Sequence, residues 1–131
     1  MKRMIPILLM MTLLLTGCAV PKPAAEANTY RQITMQEAVE MMEKEENYII
    51  LDVRTHEEFA AGHIPGAIVI PNETIGTEEI AQLPDIDQLI MVYCRSGNRS
   101  KQASDKLVKL GYTNIVEFGG IIDWPGEVVT D

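Results

Sequence analysis

The sequence predicts an α/β fold with a mainly parallel central sheet of about five strands and helices on both faces. Three observations predict it. Tyr48-Ile49-Ile50-Leu51-Asp52-Val53 and Leu89-Ile90-Met91-Val92-Tyr93 are near-continuous apolar runs with a β-branched bias, the pattern of strands covered on both sides. Capped helical segments alternate with the strands, and the crossovers of parallel strands must traverse a face of the sheet. Finally, Cys94 ends an apolar run, Arg95-Ser96-Gly97-Asn98 reads as a tight loop, and a helical period follows. A cysteine is thereby set at the carboxyl end of a strand, where sheets of this kind bind their ligands.

Taken in order, the folded part starts near Tyr30, with Tyr30 to Ile33 as a short edge strand. Thr34-Met35-Gln36-Glu37 is a capping box opening a helix with Ala38, Met41 and Met42 on one face, where methionine fills core space. Glu43 to Asn47 is a charged turn before the Tyr48 strand. Thr55-His56-Glu57-Glu58 repeats the capping box and opens a short helix that Gly62 and Pro65 stop, and Ile68-Val69-Ile70 is the next strand. Pro71 breaks it, and Thr77 to Leu83 is expected as a modest helix ended by Pro84. After the Leu89 strand and the cysteine loop comes a helix carrying Ala103, Leu107 and Leu110, with Gly111 past its end. Ile115 to Phe118 is the last strand, Gly119-Gly120 a turn, and Trp124 a core plug.

Residues 1–17 differ in kind. Lys2 and Arg3 precede an uncharged apolar stretch from Ile5 to Leu15, too short to span a bilayer at roughly 20 residues and shaped like a secretory signal. Leu15-Thr16-Gly17-Cys18 resembles the lipobox of bacterial lipoproteins, which implies cleavage before Cys18 and a lipid on its sulfur. At about 0.8 kcal/mol per buried CH₂, such acylation would anchor the protein to the extracytoplasmic face of the bacterial cell membrane. Ala19 to Thr29, with two prolines and no apolar period, then reads as a tether, so the expected organisation is leader 1–17, lipidated cysteine and tether 18–29, and domain 30–131.

Lipidation of Cys18 leaves Cys94 as the single thiol and excludes an internal disulfide. Loss of Lys2 and Arg3 takes the net charge from −8 to −10, which excludes nucleic acid as a partner drawn by bulk charge. Against that background Arg54, Arg95 and Arg99 are local positive charge near the cysteine. A following helix N-terminus and nearby cations favour thiolate over thiol, so Cys94 reads as a nucleophile. Arg95 and Arg99 admit two readings, orientation of an anionic substrate or a salt bridge that fixes the loop. Gly97 supplies a tight turn, Ser96 and Ser100 offer hydroxyls, and Ser100 suits a helix N-cap as well. Asp52 and Arg54 are supporting residues that shape the end of their strand. His63 invites a base assignment, since Cys–His pairs are common in nucleophilic catalysis; two histidines with one available cysteine make no convincing metal set.

Three blocks in order carry a resemblance. They are Asp52-Val53-Arg54 with Glu58-Phe59 and Gly62-His63-Ile64-Pro65-Gly66-Ala67; Cys94-Arg95-Ser96-Gly97-Asn98-Arg99-Ser100; and Gly119-Gly120 with Trp124. From about Ile33 to Val129 the chain resembles the rhodanese family of sulfurtransferases. The resemblance implies a single-domain rhodanese-like fold, Cys94 as the residue that carries sulfur as a persulfide, and a structural turn over Gly62 to Ala67, His63 included. The expected reaction moves sulfur from thiosulfate or a similar anionic donor to cyanide or a thiol, with Arg95 to Ser100 around the donor and no cofactor. Two rivals stand beside it. A phosphatase or arsenate reductase uses a similar cysteine loop ending in arginine, but the dual-specificity phosphatases have a longer one than the four residues between Cys94 and Arg99. A tethered module that records oxidation or sulfane sulfur without rapid turnover would need a thiol partner to stay reduced.

Overall fold

The computed structural model describes residues 29–76 and 78–130. The leader, Cys18 and most of the tether lie outside the described residues. Five parallel strands form one sheet: β1 (Arg31–Gln32), β2 (Tyr48–Asp52), β3 (Ile68–Val69), β4 (Leu89–Cys94) and β5 (Ile115–Gly120), in the order β1-β5-β4-β2-β3. The expected α/β class is therefore the observed one. Among the described residues three α-helices complete it: α1 (Met35–Lys44), α2 (His56–Ala61) and α3 (Asn98–Lys109).

Alternation along β4 explains why both faces are covered. Ile90, Val92 and Cys94 join one apolar cluster with Ala103 and Leu107 of α3, whereas Met91 and Tyr93 join another with Ala38 and Met41 of α1 and Phe59 of α2. Both capping boxes form: the Thr34 and Thr55 hydroxyls accept the Glu37 and Glu58 amides, and each glutamate side chain returns to its cap amide. These two entries fix where α1 and α2 begin, and hence which stripe each presents to the sheet.

The helix expected over Thr77 to Leu83 does not form. Residues 78–83 bend and turn, with the Leu83 amide bonded to the Ile80 carbonyl and the Leu83 carbonyl taken by the Tyr112 hydroxyl at 2.6 Å. Burying Ile80 and Leu83 needs only one turn, and no capping box closes over residues 78–83 as the Thr55 and Glu58 box does for the equally short α2. A single 3₁₀ turn sits earlier instead, at Asn72–Thr74. Nor is Gly119-Gly120 a turn: β5 runs through Gly120 into a 3₁₀ turn at Ile121–Asp123.

Asp52 and Arg54 close the carboxyl end of β2. The guanidinium clasps the carboxylate through Nε at 3.0 Å and Nη2 at 2.7 Å, and Nη2 also donates to the Gly62 carbonyl at 2.6 Å. Both residues are buried. Burial works against the charge on Arg54, but the hydrogen bonds and charge of Asp52 outweigh it and hold the guanidinium firmly protonated. On the same side the Tyr93 hydroxyl accepts the Ile64 amide at 3.2 Å, and burial pushes its phenol far up from the ordinary value.

Candidate functional site

Cys94 is the last residue of β4, and Gly97, in the left-handed region at φ 106°, turns the chain into α3. That turn aims the Gly97 amide back at the cysteine, and it donates to Sγ at 3.0 Å. The first-turn amides of α3 lack intrahelical acceptors and face the same end of the sheet. Among the described residues the cap amide of Gly97 is the one amide that meets the sulfur, and the Ser100 hydroxyl lies 3.4 Å from it. Cys94 is 1% exposed, so the thiol lies under the loop and is not presented on the surface.

The remaining loop residues divide by what they touch. Arg95, Ser96 and Asn98 are exposed, and the Arg95 side chain has no hydrogen-bond or ionic partner among the described residues. Arg99 has one. Its fork meets Glu58 of α2 at 2.7 and 3.0 Å, so for Arg99 the salt-bridge reading describes the geometry. Ser100 is not the N-cap, which is Gly97. Its buried hydroxyl lies 2.9 Å from the Gly97 carbonyl, 3.4 Å from Cys94 Sγ and 2.7 Å from Glu117 Oε1.

Asp52 and Arg54 reach each other and Gly62 and make no hydrogen bond to the cysteine. His63 stacks on Phe59 at 3.7 Å between ring centroids, with Nδ1 2.8 Å from the Phe59 carbonyl, a place in the turn and away from the sulfur. Trp124 packs on the α1 side of the sheet and donates Nε1–H to the Glu127 carbonyl.

Glu58 and Glu117 were not among the sequence-derived site residues. The Glu58 role has no local signal, because its partner lies 41 positions away. Glu117 did carry one, as an acid inside the apolar run Ile115-Val116-Glu117-Phe118 of a strand covered on both faces.

The hydrogen bond from Arg99, working against burial, holds the Glu58 carboxyl down at about 2. A carboxyl depressed in the folded state contributes stability in full above its ordinary value of 4.5 and loses it as pH falls toward 2. Glu58→Gln is therefore expected to cost about 1 kcal/mol at neutral pH, screening by solvent included. Urea unfolding at neutral pH and at steps below pH 4.5 should show the variant losing less stability to acid than the parent.

A buried cysteine at a strand end, an amide on its sulfur and a helix N-terminus beside it, all on a five-stranded parallel sheet, define a class: parallel α/β proteins whose cysteine is set at the start of a helix. The chain belongs to the rhodanese-like domain family, whose model matches residues 34–126. It is 36% identical over 73 residues to the thiosulfate sulfurtransferase PspE of Escherichia coli, covering 56% of this chain and 70% of that one. To a sulfurtransferase of Allochromatium vinosum it is 39% identical over 80 residues, covering 60% and 73%. It also matches the adenylyltransferase and sulfurtransferase UBA4 of Meyerozyma guilliermondii, of whose length it spans only 21%, with 63% of this chain covered at 36% identity. Among solved structures, a rhodanese-related protein of Thermoplasma volcanium superposes with a TM-score of 0.64 at 31% identity, over 78% of this chain and 100% of the other.

Proposed function

We propose that this protein is a sulfurtransferase in which Cys94 carries the sulfur. The thiolate attacks the outer sulfur of thiosulfate, the sulfur–sulfur bond of the donor breaks, and sulfite leaves with the electron pair. The product is a Cys94 persulfide with its negative charge on the outer atom. Cyanide then attacks that atom, takes it away as thiocyanate and returns the cysteine thiolate; a thiolate acceptor attacks the same atom, breaks the same sulfur–sulfur bond and leaves as its own persulfide, returning the cysteine thiolate likewise. One observation carries the reading: Sγ accepts the Gly97 amide at 3.0 Å at the start of α3. The first-turn amides, free of intrahelical acceptors, are available to an atom bonded to that sulfur. The names of the sulfurtransferase relatives support the same chemistry. The exposed guanidinium of Arg95 suits attraction of an anionic donor.

One feature weighs against a phosphatase or arsenate reductase, which needs its loop arginine free for a tetrahedral oxyanion: both terminal nitrogens of Arg99 are engaged by Glu58. A module that records oxidation or binds sulfur without turnover is distinguished by stoichiometry, since it would load once and form no further thiocyanate. Intact mass measurement of the domain after thiosulfate tests the reading. One added sulfur, removed by cyanide, is expected; an unchanged mass overturns it. The leader and the Cys18 motif support export and lipid anchorage on the extracytoplasmic face of a bacterial membrane. Labelled palmitate incorporated by the full chain and lost in Cys18→Ser is the expected result, and no incorporation by the parent overturns it.

A further inference from the structure

Glu117 is 2% exposed on β5, between the apolar Val116 and Phe118. Its carboxylate accepts hydrogen bonds from the Ser100 hydroxyl at 2.7 Å, the Gly119 amide at 2.9 Å and the Gln32 side chain at 3.4 Å, and pairs with no cation among the described residues. A negative charge without a counter-charge therefore sits in the interior, two hydrogen bonds from Sγ.

Ser100 has one proton to give. Glu117, the Gly97 carbonyl and Cys94 all lie within reach of Oγ, and the carboxylate, as the charged acceptor at the shortest distance, takes it. The hydroxyl is then left with lone pairs toward the sulfur. In that state it accepts from S–H and opposes a bare negative charge on Sγ.

The other charged residues near this end of the sheet are Arg99 of α3, which interacts with Cys94 but is bound to Glu58 of α2, the exposed Arg95 of the loop, and the Asp52 and Arg54 pair, which bind each other at the end of β2. Among the described residues, none of these is joined to Sγ by a continuous chain of hydrogen bonds as Glu117 is through Ser100.

We propose that Glu117 is a positioning residue that, through Ser100, disfavours a bare thiolate at Cys94 and so keeps the sulfur capped, by a proton at rest and by a second sulfur atom when loaded. A persulfide satisfies the same constraint as a thiol because its charge lies one atom further out. Attack by the acceptor pushes charge back onto Sγ, which the carboxylate resists, so the loaded form is held until an acceptor arrives. The purpose given to the loaded state rests on the sulfurtransferase reading; the effect on the thiol does not.

The test compares the parent with Glu117→Gln, which keeps the shape and removes the charge, and with Glu117→Asp, which keeps the charge. Alkylation by iodoacetamide at pH 7, followed by mass, is expected to be about tenfold faster in Glu117→Gln and near the parent rate in Glu117→Asp. Discharge of a preloaded persulfide by cyanide is expected to quicken by a similar factor in Glu117→Gln alone. Unchanged or slower alkylation in Glu117→Gln overturns the assignment, as does equal acceleration in Glu117→Asp, which would point to disturbed packing. If the parent takes no sulfur from thiosulfate while Glu117→Gln alkylates faster, the sulfurtransferase reading falls and the control of Cys94 by Glu117 stands.

Discussion

Cys94→Ser is expected to abolish sulfur transfer altogether, with no added sulfur after thiosulfate and no thiocyanate formed above the uncatalysed background. The substitution changes one atom in a packed setting, and the serine oxygen can still accept the Gly97 amide that now meets Sγ at 3.0 Å. The fold should survive with little change in melting temperature. What disappears is the chemistry: an alkoxide is far harder to form than a thiolate, and no stable oxygen counterpart of the persulfide exists to divide the reaction into two steps. The readouts are intact mass and thiocyanate colorimetry, beside a thermal melt of both proteins. Residual transfer by the variant would move the sulfur carrier elsewhere.

The second large effect is expected from Gly120→Ala. A Cβ at this position would lie 2.0 Å from the Arg95 carbonyl oxygen, 2.4 Å from its carbon and 2.6 Å from the Ser96 Cα. All three are backbone atoms, so no side chain can swing aside to make room. Either β5 or the loop that follows Cys94 must withdraw. Gly120 has φ −126°, an extended conformation open to any residue, so the requirement comes from close approach and not from backbone preference. A displacement of the loop on the order of 1 Å moves the Gly97 amide off the sulfur, and misplacement of that size costs about 100-fold in rate. Overpacking adds about 1–3 kcal/mol of destabilisation. Steady-state sulfur transfer and denaturant unfolding measured on the same preparation separate the two losses, and an active variant of parental stability would contradict the contact.

The elements buried on both faces were the legible ones. β2 and β4 announce themselves by unbroken apolar runs, and α1 and α2 by threonine and glutamate three apart at their entries. Residues 78–83 were misread because Ile80 and Leu83 satisfy a helical spacing and a single buried turn equally well. Around the cysteine, strand, loop and helix were legible because they are contiguous. What hydrogen-bonds to the loop residues was not, since Glu58 and Glu117 approach from other elements, 41 and 17 residues away from their partners. Pairings across such distances are decided by topology, which local pattern does not carry. Ser100 illustrates the difference: as a residue near a helix start it suggested a cap, while in the folded chain its hydroxyl serves β5.

The pairing of β4 with β5 slips between Val92 and Cys94, where Val92 stands opposite Glu117 and Cys94 opposite Gly120. Two steps along one strand are thus matched by three along the other. The surplus residue is what permits an acid and a bare Cα to lie on the same side of β5, since strict pleating would set Glu117 and Gly120 on contrary sides. Segment length at this point is consequently as binding a specification as residue identity. A chain shortened by Gly119 alone would pair two steps with two and keep Gly120 opposite Cys94, yet the irregularity would be gone, and with it the amide that the Glu117 carboxylate accepts at 2.9 Å.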